Sequence, residues 1–420
     1  MLKIFFYIEP FVYSNLKHNR LLLYNTFSFK WFVSEFKNFK VLKFIEELFN
    51  KGIQRCCEID NTLLYSTEFE SFYRNCQQYN MGSLHKGTKA PFIMNFFPKV
   101  NSDNRNESLR NNWQELNLRS SLNRIEIVVN NPMTTCINED LKLLGLKQIS
   151  FPYFNSTDFV NVAFNDFMKF TDGLNLSGIS VVSIIGDFFK LNDYYSFSEY
   201  FIKSIIEINI FYKDISDDFI FKLRALRNKN LRLVVWIDDH DFIAIKDKMI
   251  LLQEFNSSVD YRFVITNEYY LKEIERFMKK NRKNFDLVPF YNNKNLSFFK
   301  KYCFTSYTDL QDIKLNDRDL FSRMYLNELN YGKLIILPTG EVHSSLFFKS
   351  FGSIYNSSLI SVIRNFALDE NGPWLKTRQL VLPCKDCLFY LLCNPLTSYE
   401  YSIGKMNLCH YDKTTNNWLQ

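Results

Sequence analysis

The sequence predicts an α/β protein: a partial, open (β/α)6 TIM-like barrel or an open parallel sheet, with an N-terminal α+β domain before it and a metal-binding domain after it. Three observations predict this. Strand-like and helical segments alternate from about residue 120 to 295, a hairpin pattern followed by two helices opens the chain, and four closely spaced cysteines follow the point where the alternation stops. For 420 residues two to three domains are expected, and the reading divides the chain into 1–112, 113–300 and 301–420.

The N-terminal region begins with two aromatic-rich strands, Phe5–Tyr13 and Arg20–Phe27, on either side of the polar turn Lys17-His18-Asn19. Val41, Leu42, Ile45, Leu48 and Phe49 recur at helical spacing and predict a helix over Phe39–Lys51, stopped by Gly52. A second helix is expected over Thr67–Asn80, and the polar stretch NSDNRNESLRNN (101–112) marks the first boundary. Apolar runs at 125–130, 179–186, 206–212, 231–237, 261–266 and 285–291 then read as strands. Helices are expected between them at Thr157–Phe170, Ser196–Ile205, Asp218–Arg227, Ile243–Phe255 and Tyr269–Lys280, which is the pattern of parallel βαβ units. Six units are too few to close an eight-fold barrel. Beyond 300 the sequence predicts a hairpin around Pro338-Thr339-Gly340, a short helix and no further long periodic segment.

Composition removes several function classes. The 12 glycines form neither a G-x-G-x-x-G nor a G-x-x-x-x-G-K-[ST] pattern, which argues against a Rossmann or P-loop nucleotide site. The net charge of +6 is spread along the chain, so no nucleic-acid partner is expected. No apolar run reaches the ~18 residues a membrane span needs. The apolar start is interrupted by Glu9 and Pro10 and reads as a strand, not a signal peptide. Nine cysteines, an odd number, with no secretion signal point to a reducing cytoplasm, where grouped cysteines bind metal more often than they form disulfides.

Cys384, Cys387, Cys393 and Cys409 are spaced C-x2-C-x5-C-x15-C. Convergent thiolates can hold an ion or a cluster, whereas isolated buried cysteines are ordinary core residues. Structural zinc usually takes two C-x2-C knuckles. Here only the first pair has that form, which favours an iron–sulfur cluster and keeps zinc as the alternative. His410, beside Cys409, is a further candidate ligand or simply a neighbour.

Residues 334–410, with the lead-in PTGEV, the core CKDCLFYLLCNP and the ending SYEYSIGKMNLCH, resemble the SPASM domain of radical S-adenosylmethionine (SAM) enzymes that modify peptides. The resemblance implies that Cys384, Cys387, Cys393 and Cys409 are the ligands of the second auxiliary cluster, one 4Fe–4S group. The positions it assigns to the other auxiliary cluster fall on about Ser345, on Gly352 followed by Ser357, and on Thr397, with hydroxyls in place of thiols. Radical SAM chemistry also requires C-x3-C-x2-C after the first barrel strand. The corresponding loop, VVNNPMTTCINEDLKLL, places Cys136, Asp140 and Leu143 there, and leucine cannot ligate iron. Ile185-Gly186-Asp187 is a weak counterpart of the G-G-E motif. The chain therefore resembles pseudo-radical-SAM proteins of bacterial peptide-maturation systems, with no SAM-cleaving cluster expected.

Such a resemblance implies an accessory role. The chain would bind a precursor (leader) peptide and a partner maturase, and the N-terminal hairpin with its helices is similar to leader-binding elements that add a peptide to a sheet edge, here expected at Arg20–Phe27. An enzyme using the remaining cluster for electron transfer or substrate ligation, and a zinc-stabilised interaction protein, are the other readings. Asp238-Asp239-His240-Asp241 sits where barrel enzymes place catalytic groups, but reads better as a loop and helix cap. Cys56-Cys57 has no partner at metal spacing and reads as structural, and Lys279, Lys280, Arg282 and Lys283 suit a helix C-terminus.

Overall fold

The computed structural model describes residues 2–50, 54–97, 122–129, 162–171, 176, 178–191, 193–226, 230–238, 252, 258–281, 285–292, 294–412 and 417–418. The expected 101–112 boundary lies outside them, as do all but Leu252 of the helix expected at 243–255.

The first apolar run does not form one strand. Glu9 and Pro10 divide it into β1 (Lys3–Ile8) and β2 (Val12–Lys17), which join different sheets. β1 is the middle of a three-stranded antiparallel sheet between β5 (Cys56–Glu58) and β6 (Gly82–Gly87). β2 pairs with β3 (Arg20–Asn25) as the expected hairpin, turned at His18 with φ +53°, and β3 pairs in turn with β4 (Trp31–Glu35). Between the two sheets the chain forms α1 (Phe39–Asn50), α2 (Asn61–Leu64) and α3 (Thr67–Gln78). α1 buries Val41, Phe44, Ile45, Leu48 and Phe49, the single face set by their spacing. α3 begins at Ser66, whose hydroxyl accepts from Phe69 N–H, with Glu68 and Glu70 in its first turn.

The centre of the molecule is an eight-stranded, mostly parallel sheet. Its strands are β7 (Arg124–Val128), β8 (Val181–Ile185), β9 (Ile205–Phe211), β10 (Leu231–Asp238), β11 (Ser258–Ile265), β12 (Phe285–Pro289), β13 (Lys333–Ile336) and β14 (Val342–His343). β7 to β12 are neighbours in chain order and all parallel, as the alternating pattern predicts. That order has no reversal of the kind that creates a ligand crevice in doubly wound sheets. Two further strands extend the sheet beyond the expected six: β13 lies parallel to β7, and β14 turns back against β13. The sheet therefore runs across residue 300. Gly340, at φ +81°, closes the β13–β14 turn with a bond from its N–H to Leu337 O of 2.8 Å.

α4 (Phe164–Phe170), α5 (Tyr194–Tyr200), α6 (Asp217–Ala225) and α7 (Glu268–Asn281) follow β7, β8, β9 and β11. Their Phe167, Phe197, Phe219 and Ile274 pack with Ile127, Ile184, Ile208 and Val235 of the sheet in one core. The helix expected at Ser196–Ile205 starts at Tyr194 and ends at Tyr200, because β9 already takes up Ile205.

Beyond β12 come three short helices that the sequence pattern did not announce: α8 (Leu296–Cys303), α9 (Tyr307–Gln311) and α10 (Asp317–Tyr325). The last two are set by local chemistry instead of long periodicity, each opening on a capping box, Ser306 with Asp309 and Asn316 with Asp319. α11 (Leu359–Leu368) buries Val362, Ile363 and Phe366 in the sheet's own core. α12 (Ser398–Ile403) and the short pair β15 (Tyr411–Asp412) and β16 (Asn417–Trp418) complete the described chain.

Candidate metal centre

Local backbone structure delivers each cysteine. Cys384 begins a 3-10 turn over Cys384–Asp386, and Cys387 N–H closes it onto Cys384 O at 2.8 Å, so the C-x2-C knuckle is one turn. Cys393 N–H returns to Phe389 O at 3.2 Å. Cys409 arrives from the far end of the segment through a parallel bridge to Thr305, where Thr305 N–H bonds Leu408 O at 2.9 Å and His410 N–H bonds Thr305 O at 3.0 Å.

All four cysteines line one cleft, together with Arg378, Thr305, Pro383, Tyr390, Asn407, Leu408 and Tyr411. Cys384 is buried and the other three are half-buried. Phe389 N–H points at Cys387 Sγ at 3.4 Å, and Asn407 Nδ2 at Cys409 Sγ at 3.8 Å. Arg378 Nη1 is 3.5 Å from Cys384 Sγ, and that thiol donates to Met406 O at 3.3 Å.

Burial pushes the Cys393 and Cys384 thiols up, and the positive charge of Arg378 opposes the rise at both. Burial also works against the charge on Arg378, but Glu400, 2.7 Å from Nη1, outweighs it and keeps the guanidinium firmly protonated. The arrangement suits four thiolates: N–H donors and a fixed cation face the sulfurs, and no carboxylate or imidazole lines the cleft among the described residues. Among those residues, no three His, Cys, Asp or Glu side chains stand close enough together to hold one ion. The donor chemistry therefore fits a thiolate-held group.

The other sequence candidates fall elsewhere. His410 is turned to α8, its Nε2 3.1 Å from Lys300 O. Ser345 Oγ accepts from Phe347 N–H, Ser357 Oγ from Ser353 N–H, and Thr397 Oγ1 bonds Glu400 Oε2 at 3.1 Å in the cap of α12, so each hydroxyl serves a local turn. Gly186, at φ +114°, ends β8 where a Cβ would lie 2.5 Å from Val129 O, and Asp187 caps the short turn after it. Cys56 and Cys57 are buried in β5. Asp238 ends β10, whereas Asp239, His240 and Asp241 lie outside the described residues, as do Cys136, Asp140 and Leu143. Lys279 is 3.8 Å from Glu275 on α7, while the Lys280 side chain and all of Arg282 and Lys283 lie outside them.

One expectation is corrected. Arg20–Asn25 offers no sheet edge to a peptide, because β3 is the central strand and is paired along both sides. Its two faces are buried as well: Leu21 and Leu23 face the N-terminal core, while Leu22 and Tyr24 face the cysteine segment's Leu388, Phe389 and Leu392. Asn15 Nδ2 donates to Leu388 O at 2.7 Å and Lys17 Nζ to Lys385 O at 3.0 Å, so the hairpin braces the knuckle directly.

A second constellation escaped the sequence reading: a charged network on the sheet face opposite the helices. Arg124 bonds Glu126 at 2.9 Å and Glu207 at 2.7 Å, and Asn209 donates to Ser183 at 2.8 Å and to Glu207 at 3.0 Å. Trp236 Nε1 donates to Asn209 Oδ1 at 3.0 Å, and Arg232 pairs with Asp260. The signal was present as polar residues at alternate positions inside apolar runs, Glu207 and Asn209 in IEINIF being the clearest. Compared with known proteins, the chain matches no protein-family model and no curated protein.

Proposed function

We propose that the chain is an accessory protein of ribosomal-peptide maturation: a scaffold of radical-SAM type, with a partial-barrel sheet and no SAM-cleaving cluster, that holds one 4Fe–4S group and recognises a precursor peptide together with its partner maturase. The observation that carries this reading is the meeting of Cys384, Cys387, Cys393 and Cys409 at one cleft, although the last arrives from a separate loop. The sequence spacing, with a single C-x2-C pair, favours the cluster over zinc, whose structural sites usually take two such knuckles. The cluster would supply charge and redox capacity to the cleft. Arg378 and the N–H groups of Phe389 and Asn407 would hold the thiolate charge in place.

For the peptide, strand addition requires an edge. β6 is one, since its inner side pairs with β1 and no described strand takes its outer side. The test is to synthesise the short peptides encoded beside the gene and to titrate them against the anaerobically prepared full chain, followed by hydrogen exchange. Binding with new protection of the Gly82–Gly87 amides is the expected result. No binding by any of the peptides removes the recognition role, and cleavage of SAM by the purified protein overturns the absence of radical chemistry.

A further inference from the structure

The polar face of the sheet carries a cavity that neither the cysteine centre nor the peptide reading uses. Its volume is about 230 Å³. An apolar void of ~150 Å³ in another protein's core is enough to take benzene. Arg124, Glu126, Ser183, Asn209, Trp236 and Arg262 rise from β7 to β11, Lys333 comes from β13, and the turn at Leu329–Asn330 and the start of α12 with the two residues before it, Leu396–Tyr399, lie across from them. It is thus a crevice between the sheet and the C-terminal segments, a common setting for small-molecule sites.

The lining sets the ligand's chemistry. Three cations, Arg124, Lys333 and Arg262, face a single carboxylate, Glu126, which lies 2.9 Å from Arg124 and 3.4 Å from Lys333. Glu207, only 3% exposed at its side chain, balances Arg124 from beneath and does not reach the lining. The lining itself therefore carries three positive groups to one negative, partly offset by Glu207 beneath it and by the largely exposed Asp286, 3.5 Å from Arg262, and on the sheet side it is walled off from bulk water, where an anion gains most from fixed charges. Beside neutral polar groups such as Ser183, Asn209 and Asn330, the lining has an apolar part: Trp236, with the Arg262 guanidinium 5.3 Å from its ring centre, and Ile185, Leu329 and Leu396. The polar groups are held in place in advance, since Trp236, Asn209, Ser183 and Glu207 form one hydrogen-bonded chain.

We propose that this cavity binds an amino-acid-sized carboxylate with an apolar or aromatic side chain, the carboxylate engaging Arg124, Lys333 and Arg262 and the side chain packing on Trp236, Leu329 and Leu396. Both a free amino acid and the C-terminal residue of a peptide present that chemistry. The proposal stands independently of what the four cysteines hold.

The test uses the full chain and three probes in calorimetric titration: N-acetyl-phenylalanine, its uncharged amide, and phenylalanine. The expected result is binding of one or both acids, with the amide at least ~10-fold weaker because it lacks the charge the cations recognise. Tighter binding of the acetylated acid identifies a chain terminus as the source, and tighter binding of phenylalanine identifies a free amino acid. Lys333→Met and Arg262→Met should each weaken the better acid by ~10-fold or more, whereas Lys43→Met, remote and exposed, should not. A rise in Tm of the unsubstituted protein with the acid and not with the amide gives the same answer if either variant fails to fold. Equal affinity for acid and amide, or no binding of either acid at millimolar concentration, overturns the proposal.

Discussion

Arg378 ties the loops of the cysteine segment together. Its guanidinium pairs with Glu400 at 2.7 Å and donates to the carbonyls of Asn394, Pro395 and Met406 as well as reaching Cys384. Side-chain exposures of 9% and 1% make this a buried pair, so removing one partner leaves an uncompensated charge. Arg378→Met should cost about 3–5 kcal/mol in urea unfolding, and adding Glu400→Leu should recover a large part of it. A single-variant loss below about 1 kcal/mol would show that water reaches the pair. His343 gives a pH test. Burial holds its imidazole below the usual value, against the opposing pull of the Phe348 carbonyl and Glu341. The folded state therefore binds fewer protons than the unfolded chain, and the stability this confers is present above about pH 6.5 and lost as pH falls through the folded value. The decline of Tm between neutral and mildly acidic pH should be shallower in His343→Gln, and an unchanged slope would contradict the assignment. None of this was legible in the sequence. An arginine six residues before a cysteine carries no mark of burial until the chain folds back on it.

Among the elements, those with a strong period were legible and those set by long-range pairing were not. α1 and the strands β7 to β12 follow from the spacing of their apolar residues. The place of β3 does not, because alternation shows that two faces exist without showing what covers them. Tyr24 illustrates the gap: its hydroxyl donates to Leu315 O at 3.0 Å and accepts from Leu315 N–H at 2.7 Å, joining the N-terminal hairpin to a segment nearly three hundred residues away. Tyr24→Phe removes both bonds at a buried backbone unit, and should cost about 1–3 kcal/mol in chemical denaturation. A neutral substitution would show that the two regions do not depend on this contact. β13 was missed as a sheet member for a related reason. LIIL reads as one arm of a hairpin, and only the parallel register of Leu334 with Ile125 brings it into the central sheet.

At the scale of the whole molecule, three parts meet at the cysteine segment. The N-terminal hairpin braces it through Asn15 and Lys17, α10 reaches it through Arg323, whose Nη1 bonds Cys393 O at 2.9 Å, and Tyr399 bonds Pro289 O of the sheet at 2.6 Å. A group held by the four thiolates would therefore stabilise contacts well beyond its own loops, since binding free energy adds to folding free energy. Spacing alone singled out the four cysteines that the fold brings to one cleft, but not the buried Arg378 beside them or the bracing strand, which lies far from them along the chain. The most direct measurement is the metal and sulfide content of the full chain after anaerobic reconstitution with iron and sulfide, beside a variant with Cys384, Cys387, Cys393 and Cys409 all changed to serine. The account predicts about four iron and four sulfide per chain, with broad absorption near ~400 nm, and neither in the variant. Stoichiometric zinc in place of iron, or equal iron in the variant, would contradict it.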